Sequence, residues 1–115
     1  MGDYRGPYRV VATSAANGIG TAASPVTPIP LFLKYITVKY SGSVTQNVTV
    51  TLDCGAGAAY DCLLQTIAIS SGTQGVYFPS VPLPIAADDQ IVVSAPAGGV
   101  GVTSSIAIYC DRQMS

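Results

Sequence analysis

The sequence predicts an all-β fold, a small antiparallel β-sandwich of the jelly-roll or Ig-like (immunoglobulin-like) type. Val, Ile and Thr are abundant and Glu is absent, a composition that favours strands over helices. Apolar and polar residues alternate with period two in several segments, and turn residues separate these segments. The 115 residues are enough for one domain with its own core.

The N-terminal segment, residues 1–31, differs from the rest of the chain. Val10–Ala12 is a possible short strand, and Asn17-Gly18 is a good turn dipeptide. Ser24–Pro30 contains three prolines, which fix φ and remove backbone donors, so this piece is expected to be extended and outside the middle of a sheet. We therefore predict an extended, Pro-containing N-terminal arm over 1–31 and a β-sandwich domain over 32–115.

The stretch Tyr35–Leu52 is predicted to lie at the centre of the sandwich. Phe32–Tyr40 and Asn47–Asp53 both alternate with period two, and a polar link containing Gly42 joins them. This pattern predicts a hairpin. In its first strand Ile36 and Val38 share one face, and Tyr35 lies on the other.

Later strands are predicted at Tyr60–Ser70, Val76–Phe78, Gln90–Ala95 and Ser105–Asp111, with Pro79–Ile85 as an edge or crossover. The turns between them are Ser71–Gly75 and the glycine-rich loop Pro96–Gly101. The predicted core comprises Ile36, Val38, Val48, Val50, Leu52, Ile67, Ile69, Ile91, Val93, Ile106 and Ile108.

Composition argues against several classes of function. Only 10% of the residues are charged and the net charge is −1, which does not suit a nucleic-acid-binding surface. The chain lacks the run of about 20 apolar residues needed for a membrane span, and Met1–Gly6 lacks the apolar centre of a secretory signal. Low charge reduces self-repulsion, so we expect packing against a partner protein or a homo-oligomer, with a trimer as the first guess.

Catalysis, a metal and a cofactor are not expected. The sequence has no His and no Glu to serve as a base or a zinc ligand. Asp88-Asp89 could contribute to a calcium site, but a turn before the next strand is favoured. Cys54 and Cys62 bracket a Gly/Ala loop; they could approach each other, although small apolar side chains near strand ends are the favoured interpretation.

The run Val81–Val93 resembles a motif of small β-sandwich proteins of tailed bacteriophages, in which an apolar run, an Ala-Gly-Asp-like corner and an alternating strand follow one another. Asp89 matches the corner aspartate, whereas Asp88 stands where glycine is usual. The resemblance covers roughly residues 32–111 and is to capsid decoration (cement) proteins. It implies a non-enzymatic virion protein, made in the host cytoplasm, that binds the major capsid protein or another virion protein on the outer shell, often as a trimer.

Tyr4, Arg5, Tyr8 and Arg9 are the candidate interface residues of the arm, and Tyr35 is added from the first central strand. Arg and Tyr are both enriched at the energetic centres of interfaces. Two other functions remain open. A carbohydrate-binding or host-adhesion module needs an exposed aromatic cluster, for which the scattered tyrosines are the source. A self-assembling filament subunit would donate the arm as a strand to its neighbour.

Overall fold

The computed structural model describes residues 8–26 and 30–112, and within these ranges the protein is built from antiparallel strands. The strands are β1 (Tyr8–Thr13), β2 (Gly20–Ala23), β3 (Leu31–Asp53), β4 (Cys62–Tyr77), β5 (Leu83–Ile85), β6 (Gln90–Ala95) and β7 (Ser104–Asp111). A single 3₁₀ turn, Ala58–Tyr60, is the only helical element of the described ranges. The all-β fold class predicted from the sequence is confirmed.

Strand β3 organises the fold because it takes part in both layers of the sandwich. One of its edges pairs with β4. Its other edge pairs with β7 in its first half, where Ile36 lies opposite Ile108, and with β6 in its second half, where Val50 lies opposite Val93. Two layers result: β1-β7-β3-β4, called the β7 layer, and β2-β6-β3-β4, called the β6 layer.

The predicted hairpin inside Tyr35–Leu52 is wrong, since β3 runs without a turn from Leu31 to Asp53. Ser41 of the Ser-Gly-Ser piece bonds to Thr103, the residue directly before β7, and the chain does not reverse there. The N–H of Ser41 donates to Thr103 O at 2.9 Å, and the N–H of Thr103 donates to Ser41 Oγ at 2.9 Å. Gly42 packs beside Val102, whose Cγ2 would lie 3.3 Å from an added Cβ. The hairpin partner of β3 is β4, which likewise continues through the predicted turn Ser71–Gly75.

The predicted arm also needs correction. β1 pairs with β7 over six positions and β2 pairs with β6 over four, so residues 8–26 contribute two strands to the sandwich. Ser24 is buried, and its Oγ accepts a hydrogen bond of 2.8 Å from the N–H of Ile91. Tyr8–Ala23 contains no proline, which leaves every backbone donor available for pairing. Residues 1–7 and 27–29 of the predicted arm lie outside the described residues.

The core lies between the two layers and follows the period-two pattern. Every predicted core residue is buried except Leu52, which packs partly buried against the core at the end of β3. The structure adds apolar residues from the strand ends and the bend: Leu31, Leu33, Tyr40, Val44, Ile85 and Cys110. Tyr40 donates its hydroxyl to Pro96 O at 2.7 Å, so its buried polar atom is satisfied.

Two predicted turns are confirmed. At Asn17-Gly18 the N–H of Gly18 donates to Ala15 O at 3.0 Å, and Asn17 has a φ of 55°. At the acidic pair, the N–H of Asp89 donates to Ala86 O at 3.1 Å, and Asp88 has a φ of 70°. The Asp89 carboxylate accepts a 2.8 Å hydrogen bond from the N–H of Gly55, which ties this turn to the loop after β3.

Candidate interaction surface

A β-bulge near the start of β3 determines which side chains lie on the outer face of the β7 layer. Leu33 lies opposite Cys110, but Tyr35 lies opposite Tyr109, so β3 carries one extra residue, Lys34. A bulge of this kind changes which face the following side chains occupy. As a result Leu33 and Ile36 are both buried, while Lys34 and Tyr35 between them are partly exposed.

Three aromatic rings stack on this outer face; we call them the aromatic ridge. The Tyr35 ring lies between those of Phe78 and Tyr109, with ring centroids 5.3 Å and 4.3 Å apart and interplanar angles of 2° and 19°. Tyr109 faces outward because its neighbours in β7 face the core, and Phe78 directly follows β4. Phe78 is 70% exposed, so the ridge ends in an accessible aromatic side chain.

The ridge is part of a wider apolar patch. The next outward row crosses the same layer through Val11, Ala107, Thr37 and Val76. Val11 and Val76 are 63% and 56% exposed. Exposed apolar patches that extend over several residues mark binding surfaces more often than isolated apolar residues do.

Charged groups lie beside the apolar patch. Arg9 of β1 is exposed and lies opposite Tyr109 in the register. The Lys34 ammonium is 3.2 Å from the Asp111 carboxylate, and both side chains retain contact with solvent. An exposed pair of this type contributes about 0–1 kcal/mol to stability. An apolar centre with charged groups at its margin is the usual arrangement of a protein-binding surface.

The outer face of the β6 layer has a different chemistry. One row across its four strands consists of Thr21, Ser94, Thr49 and Thr66. These side chains present small polar groups, whereas the β7 layer presents aromatic and branched apolar groups. Of the described residues, the aromatic rings that stack on one another lie on the outer face of the β7 layer.

Of the five predicted interface residues, the structure places two on the aromatic face and does not describe the side chains of the other three. Tyr4 and Arg5 lie outside the described residues, and Tyr8 begins β1 although its side chain is not described. Arg9 and Tyr35 both lie on the outer face of the β7 layer. Phe78 and Tyr109 were not predicted as partners of Tyr35. Alternation with Ile106 and Ile108 predicts that Tyr109 faces outward, but no sequence signal gives the register between strands.

Burial changes the pKa of two titratable groups among the described residues. No group of three or more His, Cys, Asp or Glu side chains within 8–26 and 30–112 is placed to hold a metal ion. Burial raises the pKa of the Tyr40 hydroxyl. Burial, followed by the neighbouring Asp111 charge, raises the pKa of the Cys110 thiol to about 11. Both groups are neutral at pH 7 and face the core, and Cys54 and Cys62 are free thiols.

In the part of the chain that the structure describes, no helix has the length and hydropathy to cross a membrane.

No protein-family model and no curated protein matches the chain. Among solved structures, it is similar to PirA, with 16% identity, a TM-score of 0.55 and coverage of 94% of this chain and 95% of PirA. A mutant of the carbohydrate-binding module CBM29-2 complexed with cellulohexaose shares 13% identity over 94% of this chain and 78% of the module, with a TM-score of 0.41. The N-terminal cellulose-binding domain of Cellulomonas fimi β-1,4-glucanase C shares 16% identity over 91% and 90%, with a TM-score of 0.38.

These likenesses concern the fold alone. At 16% identity, PirA is similar in β architecture and implies no shared activity. The two carbohydrate-binding domains fall below a TM-score of 0.5, so neither supports a conclusion about ligands of this chain. The class that fold and surface define is a small antiparallel β-sandwich with one aromatic outer face.

Proposed function

We propose that the protein is a non-enzymatic virion structural protein, a capsid decoration (cement) protein that binds the outer shell of a tailed phage. The observation that supports a binding role is the stack of Tyr35 with Phe78 and Tyr109 on the outer face of the β7 layer. The assignment to a phage shell depends on the resemblance of Val81–Val93, and the contact surface depends on the aromatic ridge.

The ridge has the properties of an interface anchor. Aromatic side chains bring a large contact area with few rotatable bonds, and they are enriched where binding energy is concentrated. Mutual stacking holds the Tyr35 ring in place before a partner arrives, which lowers the entropy lost on binding. The partner surface that would match the aromatic ridge is an apolar groove, such as the junction between two major capsid subunits. A protein seated there would clamp the two subunits by burying surface on both.

A carbohydrate-binding module is the second candidate, and the 70% exposure of Phe78 favours it. A sugar ring packs on the face of an aromatic ring. In the ridge both faces of Tyr35 are covered, because the rings stack on each other nearly in parallel. Of the three rings, Phe78 is exposed, whereas Tyr35 and Tyr109 are only partly exposed. The surface is therefore less suited to sugars than a flat row of separate rings.

The filament alternative has the least support. It requires an N-terminal strand that is free to join a neighbour, whereas Tyr8–Thr13 pairs with β7 of its own chain.

The proposal is tested by reconstitution. Capsids of the source phage are first stripped of this protein, and the purified protein is then added back. Binding is measured by co-sedimentation and electron microscopy. Wild-type protein should occupy defined positions on the outer shell. Phe78→Ala and Tyr109→Ala should each weaken binding by at least about tenfold, equivalent to about 1.4 kcal/mol. Tyr60→Ala is the matched control, because Tyr60 is a 65% exposed aromatic residue outside the ridge.

Two outcomes contradict the decoration role, and a third contradicts the assignment of the contact surface. Absence of the protein from both native and reconstituted shells would exclude the decoration role. Binding to a glycan array that is lost in Phe78→Ala, with no binding to shells, would replace it with the second candidate. Equal loss of shell binding in Tyr60→Ala would show that the ridge is not the contact surface.

A further inference from the structure

We infer that the free edge of β4 is a self-association site, at which two copies of this chain pair their β4 strands antiparallel about a two-fold axis. β4 is 16 residues long and pairs with β3 along one edge. Its other edge pairs with no strand of residues 8–26 and 30–112. Its backbone donors and acceptors there are available to an added strand. This inference does not depend on the proposed function.

The composition of β4 lacks the features that usually protect an edge. Cys62–Tyr77 contains no Asp, Glu, Lys, Arg or Pro. Natural edge strands are generally short or carry lysine, proline or inward charges, which prevent pairing with other chains. The other edge strands of the described residues have such features: β1 has six residues and carries Arg9, β2 has four and is soon followed by Pro25, and β5 has three and contains Pro84. β4 is the long edge without them.

A second copy of the chain suits this edge better than an unrelated strand. In a two-fold antiparallel pair, residue i of one copy faces residue j of the other, and j faces i. β4 carries no charged side chain, so two copies meet without like-charge repulsion in any register. Thr66 and Ala68 are both exposed on the outer face of the β6 layer, and both side chains are small enough to leave the edge accessible.

The bulges in β4 limit where pairing occurs. Register with β3 is regular from Gln65 to Ile69 and shifts on both sides, and Ser71 has a φ of 50°. The straight part, Gln65–Ile69, is about 16 Å long at roughly 3.3 Å per residue. Pairing there joins two four-stranded β6 layers into one continuous sheet. A single strand pair is smaller than a standard interface, so the dimer should dissociate on dilution. Two-fold pairing gives two copies, in contrast to the trimer expected from the sequence.

The test is sedimentation of the full chain in reductant over a wide concentration range. Wild type should show a reversible monomer–dimer equilibrium, and the double variant Thr66→Lys/Ala68→Lys should raise the dissociation constant by more than about tenfold, because like charges then meet across the two-fold axis. Both positions are exposed, so the sandwich should remain folded, as checked by circular dichroism. Thr21→Lys is the control: it makes the same change in the same outward row but on β2, and should leave the equilibrium unchanged.

Hydrogen exchange gives a second measurement. Amides of Gln65–Ile69 that do not pair with β3 should gain protection as wild-type concentration rises, and should not do so in the double variant. A wild type that is monomeric at every concentration overturns the inference, as does an equal effect of Thr21→Lys. If Val11→Lys on β1 weakens association as much as the β4 variant, a head-to-tail β4-to-β1 contact replaces the two-fold pair and the inference is wrong.

Discussion

Cys110 should be protected from thiol reagents while the protein is folded. Its side chain is fully buried in β7, and its pKa is raised from 9.0 to about 11 by burial and by the Asp111 charge. The reactive species is the thiolate. A pKa higher by about two units lowers the thiolate fraction at pH 8 by about 100-fold, before steric exclusion is counted. Cys62 is exposed and Cys54 is partly exposed, so both should react normally.

The assay is labelling with an aromatic disulfide reagent at pH 8, with the labelled peptides identified by mass spectrometry. The folded protein should quickly release two equivalents of the aromatic thiolate, one for each of the two accessible cysteines. The third equivalent, from Cys110, should be released only on addition of denaturant. Cys110→Ala should remove the slow equivalent and leave the fast ones unchanged. Labelling of Cys110 in the folded protein at the rate of Cys62 would refute the reasoning, because it would place the thiol at the surface.

The same raised pKa gives a pH dependence with a definite sign. The folded state favours the protonated Cys110 thiol over the thiolate. The free energy of unfolding therefore includes the full contribution of this thiol below pH 9.0 and loses it as the pH rises towards about 11. Tyr40→Phe removes the hydrogen bond to Pro96 O and should lower the free energy of unfolding by about 1 kcal/mol in denaturant titrations; Tyr60→Phe at an exposed site should change it little. Deleting residues 1–13 removes β1 and uncovers the edge of β7, so we expect a lower melting temperature by circular dichroism, and unchanged melting would contradict the strand assignment.

Period-two alternation correctly predicted the strands that have one face in the core and another strand on each side. β6 has the predicted bounds Gln90–Ala95, and β7 begins one residue earlier than predicted. In both strands the inward residues are apolar and the neighbours on each side are other strands of the sandwich. Local pattern and tertiary environment therefore agree, and the buried faces could be predicted before the fold was known.

The same reasoning failed at the bend of β3 because turn residues also suit a bent strand. Ser41 and Gly42 have the composition of a turn, yet the hydrogen bonds of Ser41 go to Thr103 of a distant segment. The small size of Gly42 allows Val102 to approach. Whether such a piece reverses the chain or bends it is decided by partners far along the sequence, which local chemistry does not specify.

The candidate binding surface follows from the requirements of the core. Leu31 and Leu33 are inward residues two apart, and the next inward residue is Ile36, three further on. Strict alternation would place Tyr35 inside and Ile36 outside, which would bury a phenol and expose an aliphatic side chain. The bulge at Lys34 removes this conflict and keeps the core aliphatic. The same extra residue moves Tyr35 outward between Tyr109 and Phe78 and leaves Lys34 outside to pair with Asp111. The phase change was visible in the sequence, but its consequence for the ridge required the register of β7.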